Sequence, residues 1–356
     1  MKKFKSAIAL LLVAVMMLSF AACTGKNNTE PTTNAETTTQ PESTQAVPES
    51  EQVKVASING PTGMGMVKMM DSNRYKFTKV SNPTEIVALI STGAVDIAAC
   101  PLNLAANLYK KTNGNIKILG LNTLGVLYVV TNGVTINSIN DLKGKTIYST
   151  GEGATPEYII NYILEKNGIK NDVKVEYLSE HSELAAKVAA GEAQIAVLPE
   201  PFVSVATSKN SEVKATLSLT EEWSKVAPDT SLVMGCVIAR KDFAEKNPEA
   251  VKKFIADNKA SVEYVNTAPV EASDLIVNNG ILDAAVFSID NNLSGNKAKT
   301  AKLQKASGVI TRCNIVFIDG EKMRTDAEAN FKVYFDADPK SVGGAVPSSD
   351  VYYAAE

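Results

Sequence analysis

A nine-residue pattern occurs twice in this chain, 98 residues apart, and it limits the folds that the chain can adopt. Residues 90–98 read ISTGAVDIA and residues 188–196 read VAAGEAQIA, and a proline follows each copy, at Pro101 and Pro199. A glycine that ends a helix, a short apolar run and a proline are typical of a helix followed by a buried strand. The repeat therefore predicts two similar lobes. The alternative is that this pattern simply recurs in any α/β protein.

Strand-like and helix-like segments alternate from Val53 onwards, which predicts α/β lobes with mainly parallel sheets. About 300 residues of globular sequence exceed the usual size of one domain and favour two lobes. From Pro248 on, the pattern becomes mostly helical. Predicted helices there cover Pro248–Tyr264, Pro269–Asn279 and Ala284–Asn291.

The N-terminus has the pattern of an export signal. Lys2, Lys3 and Lys5 precede the apolar residues 7–18, a run too short to span a bilayer. We expect residues 1–22 to be a signal peptide and Cys23, which follows two alanines, to carry a lipid; the alternative is an ordinary cleaved signal. Residues 23–52 are rich in Thr, Pro and Glu and predict a disordered linker.

Charge and residue counts exclude several classes of function. Losing the three signal lysines takes the formal net charge from −3 to −6, which argues against nucleic acid as a partner. Three cysteines remain after Cys23, so one disulfide pair is possible, but the sequence does not choose it. With a single histidine and no metal-ligand spacing, we expect neither metal nor cofactor.

Four loops that follow predicted strands form the candidate site, because ligands of open α/β sheets bind beyond the carboxyl ends of strands. Glycines allow close backbone approach, and free amides at helix starts can hold an oxygen atom. The alternatives are plain turns, helix caps and a solvated carboxylate. The candidate residues are Thr62, Gly63 and Met64; Cys100, Pro101, Leu102 and Asn103; Gly153, Ala154 and Thr155; and Glu200 and Pro201.

Several of these motifs resemble those of the periplasmic-type solute-binding proteins, in the branch for nitrate, sulfonate, taurine and thiamine-pyrimidine precursors. They are the I-x-x-G-x-V-D-I-A unit, D-L-K-G-K-T-I at residues 141–147, the G-x-x-P-E-Y helix start and the Pro199-Glu200-Pro201 turn. The likeness covers roughly residues 53–264.

The resemblance implies a two-lobed clamp of type II in which two crossover strands serve as hinges. The hinges would be Val126–Thr131 and Leu232–Ala239. Lobe 1 would be residues 53–127 with 232–356, and lobe 2 residues 128–231. Ser231 and Met234, near the returning hinge, would join the four loops as walls of the site.

The expected partners are a small-molecule ligand, an ABC permease with its ATPase, and the outer face of the cell membrane through the lipid anchor. We expect a monomer without enzymatic activity. The four loops contain no Arg or Lys, which favours a neutral or weakly cationic ring over a sulfonate.

Two other functions remain open. One is a histidine- or cysteine-dependent enzyme on the same fold, related to a pyrimidine synthase, although His181 is expected at the surface and Cys100 in an apolar wall. The other is a sensory surface lipoprotein that works without an importer.

Overall fold

The strands of the chain form two separate sheets. The computed structural model describes residues 51–228 and 230–354, all within one compact unit. The strands are β1 Val53–Ile58, β2 Tyr75–Val80, β3 Ile97–Pro101, β4 Ile116–Leu124, β5 Leu127–Asn132, β6 Thr146–Thr150, β7 Lys174–Leu178, β8 Ile195–Pro199, β9 Val213–Ser218, β10 Val233–Arg240 and β11 Ile315–Ile318. The signal segment, Cys23 and the linker up to residue 50 lie outside the described residues.

Helices connect most of the strands and follow them at the C-terminal end of the chain. They are α1 Pro61–Met64, α2 Pro83–Ser91, α3 Leu102–Lys111, α4 Thr155–Lys166, α5 His181–Ala190, α6 Phe202–Lys209, α7 Leu219–Val226, α8 Lys241–Lys246, α9 Pro248–Thr267, α10 Pro269–Asn278, α11 Gly295–Arg312 and α12 Gly320–Ala337. Short 3₁₀ segments occur at Val67–Asp71, Ile139–Leu142, Lys170–Asp172, Ala284–Phe287, Pro339–Val342 and Ser349–Val351.

The five strands of the second sheet have the same order as five of the six strands of the first, which has β11 as an additional edge strand. The first runs β11-β4-β10-β3-β1-β2 and the second runs β9-β5-β8-β6-β7, so β1, β2 and β3 correspond to β6, β7 and β8. The repeated sequence pattern maps onto this correspondence. Gly93 and Gly191 follow equivalent helices with φ of 72° and 80°, and the apolar runs after them are β3 and β8. The two lobes predicted from the repeat are therefore present.

The chain passes between the sheets twice. It leaves the first sheet after β4 and enters the second at β5, through residues 125–126 alone. It returns between α7 and β10. The predicted hinge strands correspond to β5 and β10, each of which lies wholly within one sheet.

The sheets are mixed, so the expectation of mainly parallel sheets is wrong. The described strands make nine pairings, of which five are antiparallel. The crossovers cause four of these five, because β5 and β10 enter their sheets from the opposite direction and pair antiparallel with both neighbours. The fifth joins β11 to β4. One consequence is that the first residues of β10 lie beside the carboxyl end of β3.

In the C-terminal part, one predicted helix is only a short turn, and it is followed by helices and a strand that the sequence did not predict. The predicted helix Ala284–Asn291 is only a 3₁₀ turn ending at Phe287, because the Asp290 side chain accepts from the Asn292 amide at 2.9 Å and forms a local turn instead. Helices α11 and α12 and strand β11, which follow, had no sequence prediction. Helix α12 packs against α4 and so joins the two lobes.

Candidate functional site

A cavity of about 240 Å³ opens at the edge where strands of both sheets end. Its walls are the loops after β1, β2, β6, β7 and β8, together with Pro101 at the end of β3 and Met234 in β10. A neighbouring groove of about 380 Å³ shares several of these residues. Both lobes contribute to each space, so a bound molecule would touch both.

Eight of the predicted residues line one of these two spaces. The cavity is lined by Thr62, Pro101, Ala154, Thr155, Glu200 and Met234. Asn103 and Gly153 line the groove, which Pro101 and Ala154 also reach.

Three predicted residues lie behind the wall, in the hydrophobic core. Met64, Cys100 and Leu102 have no exposed surface. Cys100 lies in β3, and Met64 and Leu102 lie in α1 and α3, beside residues that reach the cavity. Their side chains point into the core because successive side chains face opposite sides of a strand and different directions around a helix.

The remaining three candidate residues contribute through their backbone near the site. They are Gly63, Pro201 and Ser231. A Cβ on Gly63 would stand 2.4 Å from the Ile58 carbonyl oxygen, so this position requires glycine. Pro201 follows a cis peptide bond, and its carbonyl accepts from the Val205 amide at 3.0 Å, at the start of α6. The Ser231 carbonyl accepts from Asn330 Nδ2 at 2.7 Å.

His181 lines the cavity, so the expectation that it lies on the surface is wrong. It is the first residue of α5, its Nδ1 is 2.5 Å from Thr150 Oγ1, and its ring centroid is 5.1 Å from that of Phe202. Burial lowers the pKa of His181 to about 4, so the imidazole is neutral at physiological pH. The helix start was visible in the sequence, but the fold alone shows that it faces the cavity.

Sequence reasoning missed several polar residues at the loop ends. Asn59, Ser81, Asn82, Ser179 and Glu180 all line the cavity. Their shared position directly after a strand was the available signal, since β2 and β7 end at these loops just as β1 and β6 end at the predicted ones.

Glu200 lies at the cavity but is already paired. It is fully buried, and its Oε1 accepts from Arg312 Nε at 2.5 Å while its Oε2 accepts from the Ser204 amide at 3.1 Å. Arg312 Nη2 donates to Ser204 Oγ at 2.6 Å. This network joins the loop after β8 in the second lobe to the end of α11 in the first.

A second polar contact joins the lobes beside the cavity. The buried hydroxyl of Thr155 donates to Asn103 Oδ1 at 2.9 Å. Thr155 begins α4 in the second lobe, and Asn103 lies in the first turn of α3 in the first lobe. The two lobes are therefore in direct contact at both ends of the site.

The cavity carries little positive charge. Within the described residues, its only ionisable lining groups are Glu180, His181 and Glu200, and no Lys or Arg lines it. Helices α1, α2 and α4 have a proline in their first two positions, which removes an amide donor from helix starts that reach the cavity. A strongly anionic ligand would find few donors here.

Residues 51–228 and 230–354 hold no cluster of three or more His, Cys, Asp or Glu that could bind a metal ion. No helix in this part of the chain is long and apolar enough to cross a membrane.

Solved structures show that this is the fold of the periplasmic binding proteins. An ABC transporter protein from Parabacteroides distasonis is 22% identical, with a TM-score of 0.69, and the match covers 86% of this chain and 100% of that one. The periplasmic aliphatic sulphonate binding protein of Escherichia coli is 13% identical, with a TM-score of 0.63, and the match covers 85% of this chain and 90% of that one. The predicted two-lobed clamp is therefore confirmed.

The family follows from the sequence itself. The family described as NMT1/THI5 like matches residues 74–272, more than half of the chain, and the chain belongs to it. A Brucella abortus protein named as a binding protein is 25% identical over 221 residues, which are 62% of this chain and 66% of that protein. The match spans just under two thirds of the length of this relative and of its Brucella suis counterpart.

Proposed function

We propose that this chain is the extracytoplasmic solute-binding lipoprotein of an ABC importer and that it captures a small neutral or weakly cationic ring compound, such as a pyrimidine. The observation that carries this proposal is a cavity whose wall comes from both lobes at the carboxyl ends of their strands. Its volume of about 240 Å³ is below the roughly 300–1,000 Å³ of sites for drug-sized ligands, which fits a compound with a single ring.

The chemistry of the wall supports a ring compound. Phe202 and His181 place two aromatic faces at the cavity, and an offset or edge-on ring of the ligand would pack against them. Asn59, Ser81 and Ser179 supply neutral hydrogen-bonding groups nearby. Because His181 is neutral and Glu180 is acidic, the electrostatic potential favours a neutral or weakly basic ligand over an anion.

One observation favours a sulfonate instead. Helices α4 and α5 both begin at the cavity, at Thr155 and His181, and helix starts attract anions. The Escherichia coli relative is named for aliphatic sulphonates. We rank this ligand second because no Lys or Arg among the described residues lines the cavity.

Transport would follow from closure of the two lobes. A ligand stabilises the closed form only to the extent that it makes additional contacts there, and a cavity walled by both lobes provides such contacts. A permease with its ATPase would then recognise the closed form of a monomer anchored through a lipid on Cys23. No chemical bond changes in this mechanism.

A thermal-shift and native mass-spectrometry screen tests the ligand class. We expect uracil and aminopyrimidines to raise the unfolding temperature of the full chain and taurine or methanesulfonate to leave it unchanged; stabilisation by the sulfonates alone would reject the ring assignment. Phe202→Ala should abolish the shift. Leu303→Ala, which changes an exposed side chain of α11 outside the cavity, is the matched control and should retain it.

The mass measurement in this screen distinguishes a binding protein from an enzyme, and an uptake measurement distinguishes a component of an importer from a sensor. A ligand recovered with its mass unchanged after prolonged incubation supports a binding protein, and a changed mass would indicate an enzyme that uses His181. Uptake of the ligand that is lost when a neighbouring permease gene is deleted would separate transport from sensing.

A further inference from the structure

Two cysteines face each other across neighbouring strands behind the cavity wall. Cys100 in β3 and Cys236 in β10 are direct register partners in an antiparallel pair, and their sulfur atoms are 3.9 Å apart. Both side chains are fully buried, and both thiols are free. The Cα atoms of directly opposed residues in such a pair are about 4.5–5.5 Å apart. That separation lies within the range that a disulfide spans.

We propose that Cys100 and Cys236 form a disulfide when the chain folds in an oxidising compartment outside the cell. The step removes one hydrogen atom from each thiol and forms one S–S bond. The two electrons and two protons pass to the disulfide of a dithiol oxidase or of oxidised glutathione, which is reduced to two thiols.

The geometry selects this pair among the three cysteines of the folded part. Cys100 and Cys236 belong to the same hydrophobic cluster. Cys313 lies at the end of α11 in a different cluster, with Met64 and Ile310 among its members. The sequence alone allowed any pairing, whereas the strand register favours only one.

The bond would tie together two walls of the site. Cys100 is followed by Pro101, and Cys236 lies two residues after Met234, and both Pro101 and Met234 line the cavity. The two cysteines are 136 residues apart in sequence, and the segment between them includes the whole second sheet. A crosslink there restricts the unfolded chain while the native strands need only small side-chain rotations.

Burial determines when the reaction can take place. It raises the pKa of the Cys236 thiol, so the thiolate that attacks a disulfide is scarce in the folded protein. Oxidation therefore belongs to folding, before β3 and β10 close over the sulfur atoms. A chain that folds in a reducing compartment should keep both thiols.

Peptide mapping tests the pairing. The full chain is unfolded, refolded with oxidised glutathione, alkylated and digested with trypsin, which places the four cysteines in four different peptides. We expect the peptide of residues 80–110 to be linked to that of residues 226–240, with a mass lower by two hydrogen atoms than the sum. Alkylation of both peptides in the monomer, or a link through Cys313, would overturn the proposal.

Variants separate the bond from other effects of refolding. Cys313→Ser should keep the link, and Cys100→Ser should abolish it. Reduction should move the urea midpoint of the wild type to lower urea but leave that of the double variant Cys100→Ser/Cys236→Ser unchanged. The disulfide proposal depends on the proposed function only because that function places the chain in an oxidising compartment outside the cell. The refolding assay contains no ligand, so it can fail while solute binding stands, and solute binding can fail while the link forms.

Discussion

The Arg312 guanidinium reaches across the two lobes and donates its Nε–H to the carboxylate of Glu200 at 2.5 Å. Glu200 has no exposed surface, whereas the Arg312 side chain is 45% exposed. Arg312 is the last residue of α11, and Glu200 directly follows β8. A carboxylate that the sequence predicted as a ligand contact therefore joins the two lobes through an ion pair.

Replacing Arg312 by Ala should destabilise the fold. The substitution leaves the Glu200 carboxylate buried with only the Ser204 amide as a partner, and a buried charged group without its partner costs about 2 kcal/mol or more. We expect the free energy of unfolding, measured in urea at pH 7, to fall by about 2 kcal/mol.

A conservative variant serves as the control for this effect. Arg312→Lys keeps the positive charge but loses the second donor that reaches Ser204, so its loss should be smaller. In Glu200→Gln/Arg312→Ala the buried charge is absent, and much of the stability should return. If Arg312→Ala alone were as stable as the wild type, the ion pair would have no structural role.

Much of the fold was predictable because its determinants are local. The glycines Gly93 and Gly191 end helices through positive φ angles, and the apolar runs after them are buried strands. The direction of β5 and β10 was not predictable in the same way, because it depends on which sheet the chain enters after each crossover. Helix α11 was missed because only three of its residues are fully buried and Lys recurs along it.

The site was predictable as a set of loops but not as a set of side chains. Among the candidate residues, Thr62, Thr155 and Met234 line the cavity, whereas Met64 points into the core. Phe202 and Arg312 acquire their roles only through tertiary contacts, and Arg312 lies 112 residues from its partner. The position of each loop follows from the order of the strands, but the direction in which a side chain points depends on how the two lobes pack.

His181 should titrate well below an ordinary histidine. Burial lowers its pKa from 6.5 to about 4, although the carboxylates of Glu180 and Glu200 also line the cavity. Since it is the only histidine of the sequence, its NMR signals are unambiguous. A titration midpoint near 4 is expected, and one near 6.5 would show that the ring is solvated.

The same shift predicts the direction of a stability change with pH. Between pH 6.5 and 4 the unfolded chain binds a proton at His181 while the folded chain does not, so this contribution to stability is present above pH 6.5 and is lost as the pH falls towards 4. His181→Asn removes the titrating group. Its free energy of unfolding should therefore decrease less between pH 7.5 and 4.5 than that of the wild type.

The contact between Thr155 and Asn103 should be sensitive to loss of a single hydroxyl group. Thr155→Val keeps the shape but leaves the buried Asn103 Oδ1 without its donor, which should lower the free energy of unfolding by about 1–3 kcal/mol. Thr155→Ser retains the hydroxyl and should lose less. An unchanged stability in Thr155→Val together with a loss in Thr155→Ser would mean that the methyl group, rather than the hydrogen bond, matters at this position.

Gly63 allows the loop after β1 to approach its own strand. A Cβ there would stand 2.4 Å from the Ile58 carbonyl oxygen and 2.5 Å from Ser57 Oγ, so Gly63→Ala must displace backbone beside Thr62. We expect lower stability in urea and weaker binding of any ligand that stabilises the wild type.

The matched control is Gly308→Ala in the interior of α11, where a Cβ meets only Arg312 Nη1, at 3.5 Å. Because alanine is favoured over glycine inside a helix by roughly 0.5–1 kcal/mol, this variant should be at least as stable as the wild type and should bind equally well. A Gly63→Ala protein with unchanged stability and affinity would show that the loop tolerates a side chain, and the first wall of the cavity would then be less constrained than its close packing indicates.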